Sequence, residues 1–373
     1  MITPETLNDI QRKLEERSVA DKRVLEELRS EIRPLKSEVR RINPRTTTSI
    51  SLVAADGGNN KVNFDPYLFQ VVRVVDSCGR QLLLDLATPT TNIEELSEGN
   101  LDRQGNPKSA LGVMMKDLGI ETLWDLSPMI PKPDQENPSP SWVQEYRDLA
   151  EWAALYQMLK EGGFKTDTLI VRDGLLRSKI FSKKLFKDLL EKIDAAINEI
   201  YRQTKRRVYL VGFSKKSKVL ARYRLAFALE GILTQGYPCY VEIPPDIQKK
   251  AYIWEEYATG NEAEKFVGGR LFMVRFGSRI NDPIWPIDIF IPQLVQTPQI
   301  MGSLLADAND GFPVPFYPQC LQKAHEQAAL FGFDMEVMED LIVNAVRRSF
   351  TPDEQNVVDR VRLQSDVGML RYE

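Results

Sequence analysis

The order strand, helix, strand near the middle of the chain constrains the fold more than any other feature of the sequence. Residues 168–172 (TLIVR) and 208–213 (VYLVGF) are continuous apolar runs of strand length, and residues 185–202 between them carry apolar side chains at helical spacing. Strands separated by a helix are usually joined by right-handed crossovers within one sheet. We therefore expect an α/β fold built on a central sheet.

An antiparallel meander precedes this unit. Residues 49–55 (SISLVAA) predict a short apolar strand that ends at the turn Asp56-Gly57-Gly58, and residues 68–76 and 81–86 predict two further strands. Residues 88–140 are polar, with dense prolines from Pro128 onward, and indicate an insertion or lid of weak regular structure. Residues 142–160 then predict a helix with Ser141 as its N-cap.

The two ends of the chain have patterns of their own. Residues 4–41 predict a long helix that Pro34 should kink. Its apolar stripe has coiled-coil-like spacing and packs either on its own domain or against a second copy of the chain. The stripe consists of Leu25, Leu28, Ile32, Leu35, Val39 and Ile42. Residues 237–298 are typical of a β-rich region, residues 317–331 of a helix, and residues beyond 351 of a charged peripheral tail.

Composition excludes several classes of protein. No apolar run approaches the ~18 residues of a membrane span, and the polar, charged start does not predict a signal peptide. Three distant cysteines lack the spacing of a zinc site or a disulfide framework, so we expect a cytoplasmic protein. The net charge of −4 means that any nucleic-acid binding must come from local basic patches. P-loop, nucleophile-elbow and dinucleotide-binding motifs do not occur in the sequence.

Two aspartates follow strand-like runs in nearly the same phrase, Ala55-Asp56-Gly57 and Arg172-Asp173-Gly174. A carboxylate at a strand end projects into the crevice where α/β folds bind ligands. Hydrolysis of nucleic acid by two metal ions uses such carboxylates, because Mg²⁺ and Mn²⁺ prefer oxygen ligands. The alternative for each aspartate is an ordinary Asp-Gly turn with no chemistry.

Glu151 is a third candidate carboxylate, on the helix before the Asp173 strand. Its neighbours are mostly apolar, so a charge that faces inward needs a partner or a metal ion. The alternative places Glu151 on the solvent face, paired with Arg147 four residues earlier.

Basic residues bracket the second strand of the central unit. Between positions 202 and 218 there are seven of them and no acidic residue: Arg202, Lys205, Arg206, Arg207, Lys215, Lys216 and Lys218. Lys215 and Lys216 lie where the strand leaves the sheet and could hold a scissile phosphate. A solvated run of charges is the competing interpretation.

His325 is the only histidine, which excludes a multi-histidine metal centre. On its predicted helix it serves either as a structural residue or as a ligand or acid/base group of a carboxylate metal site. Asp288 is a weaker candidate, because an apolar strand buries a carboxylate only with a partner.

The order of these motifs resembles the NurA nucleases. The matching phrases are Asp56-Gly57 after a first strand, Glu151 in a Glu-x-x-Ala-Leu helix, Arg172-Asp173-Gly174, Gly-Phe-Ser-Lys at 212–215, and Ala324-His325. Together they span residues 49 to 330. Each phrase is short, and the specificity of the match comes from finding five in the right order.

The resemblance implies an RNase H-like mixed sheet flanked by helices, with an N-terminal helical extension (1–45), a nuclease domain (46–350, insertion 88–140) and a tail (351–373). It also implies Mn²⁺- or Mg²⁺-dependent cleavage of DNA with two ions, a homodimer, and partnership with a HerA-type hexameric ATPase. By the same resemblance Asp56, Glu151 and Asp173 would be metal ligands, and His325 a ligand or acid/base group. Lys215 would contact phosphate, a role that Lys216 could also fill.

The expected function is therefore the processing of DNA ends in repair, recombination or defence. Two alternatives remain open at this stage. One is a catalytically inactive nuclease-fold subunit that clamps DNA or docks onto a translocase. The other is an enzyme with the same chemistry that acts on RNA, because recognition of the 2′-hydroxyl depends on local geometry.

Overall fold

The computed structural model describes most of the chain. The described residues are 3–45, 50–64, 67–88, 90–133, 135, 141–252, 266–309, 311–329 and 333–363. For residues 5, 20, 50–64, 67, 68, 333–335 and 358–363, the backbone alone is described.

A single mixed sheet organises the described part of the chain. Its strands are β1 (Arg40–Arg41), β2 (Ile50–Phe64), β3 (Tyr67–Asp76), β4 (Gln81–Ala87), β5 (Asp167–Asp173), β6 (Val208–Phe213), β7 (Cys239–Glu242), β8 (Gly269–Arg275) and β9 (Ile284–Phe290). Across the sheet they follow the order β1-β7-β8-β9-β6-β5-β2-β3-β4.

The half of the sheet from β4 to β6 has RNase H-like topology. β2, β3 and β4 form the antiparallel meander, and β5 and β6 then run parallel to β2 on its other side. β9, β8 and β7 extend the sheet beyond β6 with antiparallel pairing. The predicted RNase H-like mixed sheet and its β-rich C-terminal extension are therefore confirmed.

Helices cover both faces of this sheet. They are α1 (Pro4–Ile32), α2 (Ile93–Glu98), α3 (Ala110–Leu118), α4 (Leu123–Leu126), α5 (Trp142–Glu161), α6 (Leu185–Thr204), α7 (Lys218–Glu230), α8 (Pro245–Ala251), α9 (Thr297–Ala308), α10 (Gln319–Ala328), α11 (Phe333–Arg348) and α12 (Pro352–Leu363). Side chains of α3, α5 and α6 form one core cluster, and those of α9 and α10 form another.

The uniformly apolar character of β5 and β6 follows from this burial on both faces. Along β5, Ile170 belongs to the core beneath α5 and α6, whereas Leu169 and Val171 belong to the core beneath α9 and α10. Successive side chains of a strand point to opposite faces. Arg172 therefore lies on the α5 side of the sheet and Asp173 on the α10 side, so the carboxyl end of β5 presents one charge to each face.

The first strand was predicted too short. β2 does not end at Asp56-Gly57-Gly58 but continues to Phe64, and these three residues pair with Val75, Val74 and Arg73 of β3. What ends near Asp56 is the parallel pairing with β5, whose last partners are Ala55 and Arg172. A long hairpin partner overrides the local turn preference of Asp-Gly-Gly.

Two predictions about flanking segments were also wrong in part. The stretch 88–140 contains three helices, α2, α3 and α4, each with a side-chain N-cap from Asn92, Ser109 or Thr122. The N-terminal helix ends at Ile32 and continues as a 3₁₀ helix over Arg33–Glu38, so Pro34 stands just past the helix end and produces no kink. Ser141 precedes α5 without a side-chain capping bond.

The C-terminal end of α1 and the residues that follow it pack against α7. Glu230, the last residue of α7, accepts hydrogen bonds from Arg29 (2.6 Å) and Arg33 (2.9 Å). Tyr223 of α7 donates to Glu31 over 2.6 Å. Ile32 and Leu35 are buried in a cluster with α7, β7 and β8, and Leu28 packs against it. This part of the predicted stripe packs on its own domain.

No helix within the described ranges combines the length and the apolar character needed to cross a membrane.

Candidate active site

A cleft of about 440 Å³ opens at the carboxyl end of β5. The helix α5 forms one wall, and the turn that follows β5 forms another. Charged side chains dominate the lining, which consists of Arg147, Asp148, Glu151, Arg172, Asp173, Gly174, Leu175, Arg177 and Tyr252. Two of the predicted site residues, Glu151 and Asp173, therefore border one cavity.

Asp173 is the last residue of β5, and its side chain is partly exposed. The Nζ atom of Lys215 lies 3.8 Å from its Oδ2 atom. Lys215 follows β6, whose last residue Phe213 pairs with Asp173, so the ends of two neighbouring strands hold the two charges together. The same Nζ atom lies 5.1 Å from the centre of the Tyr317 ring, a cation–π contact. Lys215 is thus the lysine that pairs with Asp173.

Glu151 is buried on α5 and faces the sheet. Its Oε1 atom lies 3.4 Å from Nε of Arg147, and its Oε2 atom lies 3.3 Å from Nη2 of Arg172. Both sequence interpretations therefore contribute to the outcome, because the carboxylate points inward and also has Arg147 as its i,i+4 partner. The additional partner, Arg172, comes from β5.

Arg172 connects α5 to the turn after β5. Its Nη2 atom also binds Asp148, one helical turn before Glu151, and its Nη1 atom donates to the carbonyl of Leu175 over 3.2 Å. The guanidinium stands 4.6 Å from the centre of the Trp152 ring. Gly174 has φ +99°, and a Cβ atom there would stand 2.6 Å from Nη1 of Arg172. Glycine at position 174 therefore permits this backbone conformation and leaves room for the Arg172 side chain.

Negative charges are concentrated on the first turns of α5. Burial, together with the charge of Asp148, raises the pKa of Glu145. Like charges at close range oppose ionisation, and a nearby cation relieves that opposition. Arg147 and Arg172 supply the positive charge on this side of the cleft, and Lys215 supplies it beside Asp173.

A buried ion pair joins Arg177, which lines the cleft, to Asp288 on β9. Arg177 donates through Nε and Nη2 to the two oxygens of Asp288, at 2.8 and 3.0 Å. Asp288 has no exposed surface, and its strand β9 passes close to Gly269, where a Cβ atom would stand 2.4 Å from that of Asp288. The expectation that Asp288 is buried only with a partner is confirmed. Its bidentate pairing indicates a structural role.

Asp56 and His325 are placed less fully. Ala55 of β2 pairs with Arg172 of β5. Asp56 and Asp173 are the next residues on these two parallel strands and therefore occupy matching positions. The side chain of Asp56 lies outside the described residues. His325 is exposed on α10, a helix that packs against β2 and β3. Its helix therefore lies on the strand that carries Asp56.

The carboxylates of the cleft suit a hard divalent cation, but the described side chains do not supply a complete set of ligands. Among residues whose side chains are described, no group of three or more histidine, cysteine, aspartate or glutamate residues is arranged to hold a metal ion. Glu151 and Asp173 supply carboxylate oxygens, the ligand type of Mg²⁺ and Mn²⁺. A third carboxylate would have to come from Asp56, from the matching position on β2, or from Asp148.

Sequence reasoning missed Asp148, Arg172 and Arg177 as members of the site. Arg172 carried a usable signal, because a charged residue within an apolar run requires a buried partner. Asp148 lies three residues before Glu151 and therefore on the same helix face. Arg177 and Asp288 are 111 positions apart, and no local pattern connects them.

This arrangement defines a class: an α/β protein with an RNase H-like core and a charged cleft at the carboxyl end of its central strands. Solved structures to which this chain is similar include NurA proteins. One is the NurA nuclease from Sulfolobus solfataricus, with 14% identity, coverage of 92% of this chain and 98% of that chain, and a TM-score of 0.44. Another is NurA bound to dAMP and manganese, with 12% identity, coverage of 96% and 100%, and a TM-score of 0.44. No protein-family model and no curated protein matches the sequence.

Proposed function

We propose that this protein is a metal-dependent nuclease that cleaves DNA at the cleft between α5 and the end of β5. The observation that carries the proposal is the position of Glu151 and Asp173. Two carboxylates from different elements border one cavity, and Lys215 stands 3.8 Å from Asp173. Phosphodiester hydrolysis requires carboxylates to hold cations and a positive charge to stabilise the phosphate.

The chain's own residues have separable roles in this proposal. Asp173 and Glu151, with Asp56 and His325, would hold Mn²⁺ or Mg²⁺, which supplies an activated water and stabilises the leaving oxygen. The Lys215 side chain is 45% exposed, so its Nζ atom can leave its contacts with Asp173 and the Tyr317 ring to reach a phosphate oxygen. Arg147 and Arg172 hold Glu151 on the cleft wall.

Substrate and partners belong to the same proposal. The five motifs, in the order found in NurA nucleases, support DNA as the substrate, a HerA-type hexameric ATPase as the partner, and a homodimer. DNA-end processing in repair, recombination or defence is the corresponding role. In this chain Glu151 and Arg172-Asp173-Gly174 border one cleft, and Lys215 stands 3.8 Å from Asp173. Motif order and spatial proximity therefore point to the same site.

One observation favours a second candidate, an inactive subunit that clamps DNA or docks onto a translocase. Glu151 is already neutralised by two arginines, and Arg172 also binds Asp148. A cation that used Glu151 would have to share it with these guanidinium groups. A site that has lost its chemistry would keep such ion pairs for stability alone.

Cleavage of end-labelled linear DNA separates the two candidates. Single- and double-stranded substrates are incubated with Mn²⁺, Mg²⁺ or EDTA, using wild type, Asp56→Ala, Asp173→Ala and Glu151→Gln. The matched control is Glu191→Gln, because Glu191 is an exposed carboxylate on α6, away from the cleft. A nuclease gives metal-dependent products that the control retains and the site variants lose. Full activity in soluble Asp56→Ala and Asp173→Ala would overturn the assignment of the site.

The same assay decides the second candidate. A wild-type chain that binds DNA but yields no product with either metal, alone or with its ATPase, would favour the clamping subunit. An RNA strand of the same sequence, run in parallel, tests the choice of nucleic acid, because the chemistry itself does not distinguish the two.

A further inference from the structure

Arg172 occupies an unusual position for a charged residue. It lies in a strand covered on both faces, and its side chain is only 7% exposed. A buried guanidinium is costly unless its donors are paired. Four contacts surround it: Nη2 meets two carboxylates, Nη1 meets a backbone carbonyl, and the Trp152 ring lies against the guanidinium.

These contacts connect α5, the strand β5 that carries Arg172, and the turn that follows β5. Nη2 reaches Asp148 and Glu151 on α5, and Nη1 reaches Leu175 in the turn after Asp173. The helix and the turn therefore meet through one rigid, planar group. A lysine has a single nitrogen on a flexible stem and cannot reproduce this fork.

We propose that Arg172 is the positioning residue of the cleft: by binding Asp148 and Glu151 at once, it fixes the Glu151 carboxylate relative to Asp173. Asp148 is the counter-charge in this arrangement, because it shares Nη2 and so limits how tightly Glu151 is held. Glu151 thereby stays oriented while one side of it faces the cleft. This inference deepens the proposed nuclease function and rests on it.

The local sequence accommodates the arrangement. Gly174 leaves the space that Nη1 needs, since a Cβ atom at that position would stand 2.6 Å away. Asp148 and Glu151 are three residues apart on α5, which places both on the face towards β5. Trp152 supplies an aromatic surface that holds the guanidinium plane in one orientation.

Arg172→Lys tests the proposal, because it keeps the charge and removes the fork. The matched control is Arg224→Lys, which makes the same change at an exposed position on α7. With DNA and Mn²⁺ we expect kcat to fall roughly 10- to 100-fold, as for a misplaced catalytic group, with little change in KM for DNA. We also expect Arg172→Lys to bind Mn²⁺ more weakly than the control does. Calorimetry in the absence of DNA, where no cleavage takes place, measures this affinity.

A double-mutant cycle decides the contact without any activity. Arg172→Met, Glu151→Gln and the double variant are unfolded in urea with EDTA present. We expect the double variant to lose less stability than the sum of the two single losses, because each single change already removes the contact between Arg172 and Glu151 that the other change would remove. The cycle uses stability alone, so a wild type without nuclease activity would overturn the proposed function and leave this readout intact. Additive losses, or a kcat for Arg172→Lys equal to that of the control, would overturn the positioning role.

Discussion

Lys215 and Asp173 stand at the ends of the neighbouring strands β6 and β5, with Nζ 3.8 Å from Oδ2. The pairing of Phe213 with Asp173 brings the two strand ends level. A lysine that approaches a carboxylate at this distance and remains 45% exposed can exchange that contact for a phosphate oxygen. The relationship therefore predicts which of the two adjacent lysines matters.

Replacing Lys215 by Met should reduce cleavage far more than replacing Lys216 by Met. Loss of a group that stabilises developing charge costs ~10²–10³-fold in kcat, whereas Lys216 contributes its backbone to the Ser214 turn. Steady-state cleavage of a labelled oligonucleotide measures both variants. Equal losses, or a larger loss with Lys216→Met, would contradict the assignment.

The Arg177–Asp288 pair should be essential for stability. Asp288→Asn removes the negative charge that pairs with the buried guanidinium of Arg177, and breaking such a pair costs ~3–5 kcal/mol. Urea denaturation gives the free energy of unfolding, with Asp246→Asn on α8 as an exposed control. Replacing both members, as in Arg177→Met with Asp288→Leu, should recover part of the loss. A change within ~0.5 kcal/mol for Asp288→Asn, the range of surface substitutions, would show that the pair is dispensable.

Gly212 should tolerate no side chain. A Cβ atom there would stand 2.5 Å from the carbonyl oxygen of Gly174 and 2.6 Å from the amide nitrogen of Leu176. Gly212→Ala therefore forces β6 away from the turn that follows Asp173, and overpacking of this kind costs ~1–3 kcal/mol. We expect a lower Tm together with lower cleavage at a temperature where the variant is folded.

The control for this change is Gly236→Ala. A Cβ atom at Gly236 meets nothing within 4 Å. Its Tm and cleavage rate should match those of wild type. A Gly212→Ala protein that also matches wild type would mean that the approach of β6 to the turn is looser than described.

The attachment of α1 should weaken in acid. Hydrogen bonds from Arg33 and Arg29 lower the pKa of Glu230 from 4.5 to about 2. A carboxyl group whose pKa is lower in the folded state stabilises the fold above its unfolded pKa, and this contribution disappears as the pH falls from 4.5 towards 2. The Tm difference between wild type and Glu230→Gln should therefore be full at pH 6 and shrink below pH 4.5.

Glu26→Gln serves as the comparison for this pH series. Glu26 pairs with Arg29 at an exposed position on α1 itself, so its removal leaves the contact between α1 and α7 intact. Its Tm should stay close to wild type across the range. A Glu230→Gln difference that does not vary with pH would contradict the ion-pair explanation.

The sequence predicted the central strands well, because their burial on both faces leaves a continuous apolar run. Residues 168–172 and 208–213 fall within β5 and β6 as observed. The end of β2 was predicted wrongly because it depends on a distant partner. The strand continues past Asp56 by pairing with β3, and the local Asp-Gly-Gly turn signal does not reveal this pairing. The helices within 88–140 were missed because each is short, and only their caps mark them.

The candidate site was predicted in part for a similar reason. Asp173 and Glu151 stand out because carboxylates beside apolar runs are rare, and both border the cleft. Asp148 and Arg172 enter through contacts between α5 and β5, which depend on how the helix packs against the strand. The chemical roles of all the predicted site residues remain predictions, and Asp56 and His325 are tied to β2 and α10 by position alone.

Binding of Mn²⁺ followed by electron paramagnetic resonance tests the central claim most directly. The signal of free Mn²⁺ is recorded during titration of wild type, Asp173→Asn, Glu151→Gln and the Glu191→Gln control, without DNA. We predict saturable binding by wild type and control, and a loss for the two cleft variants at least as large as the ~10–100-fold that outer-shell changes cost. Wild type without saturable binding, or Asp173→Asn with undiminished affinity, would contradict the account of this cleft as a metal-dependent nuclease site.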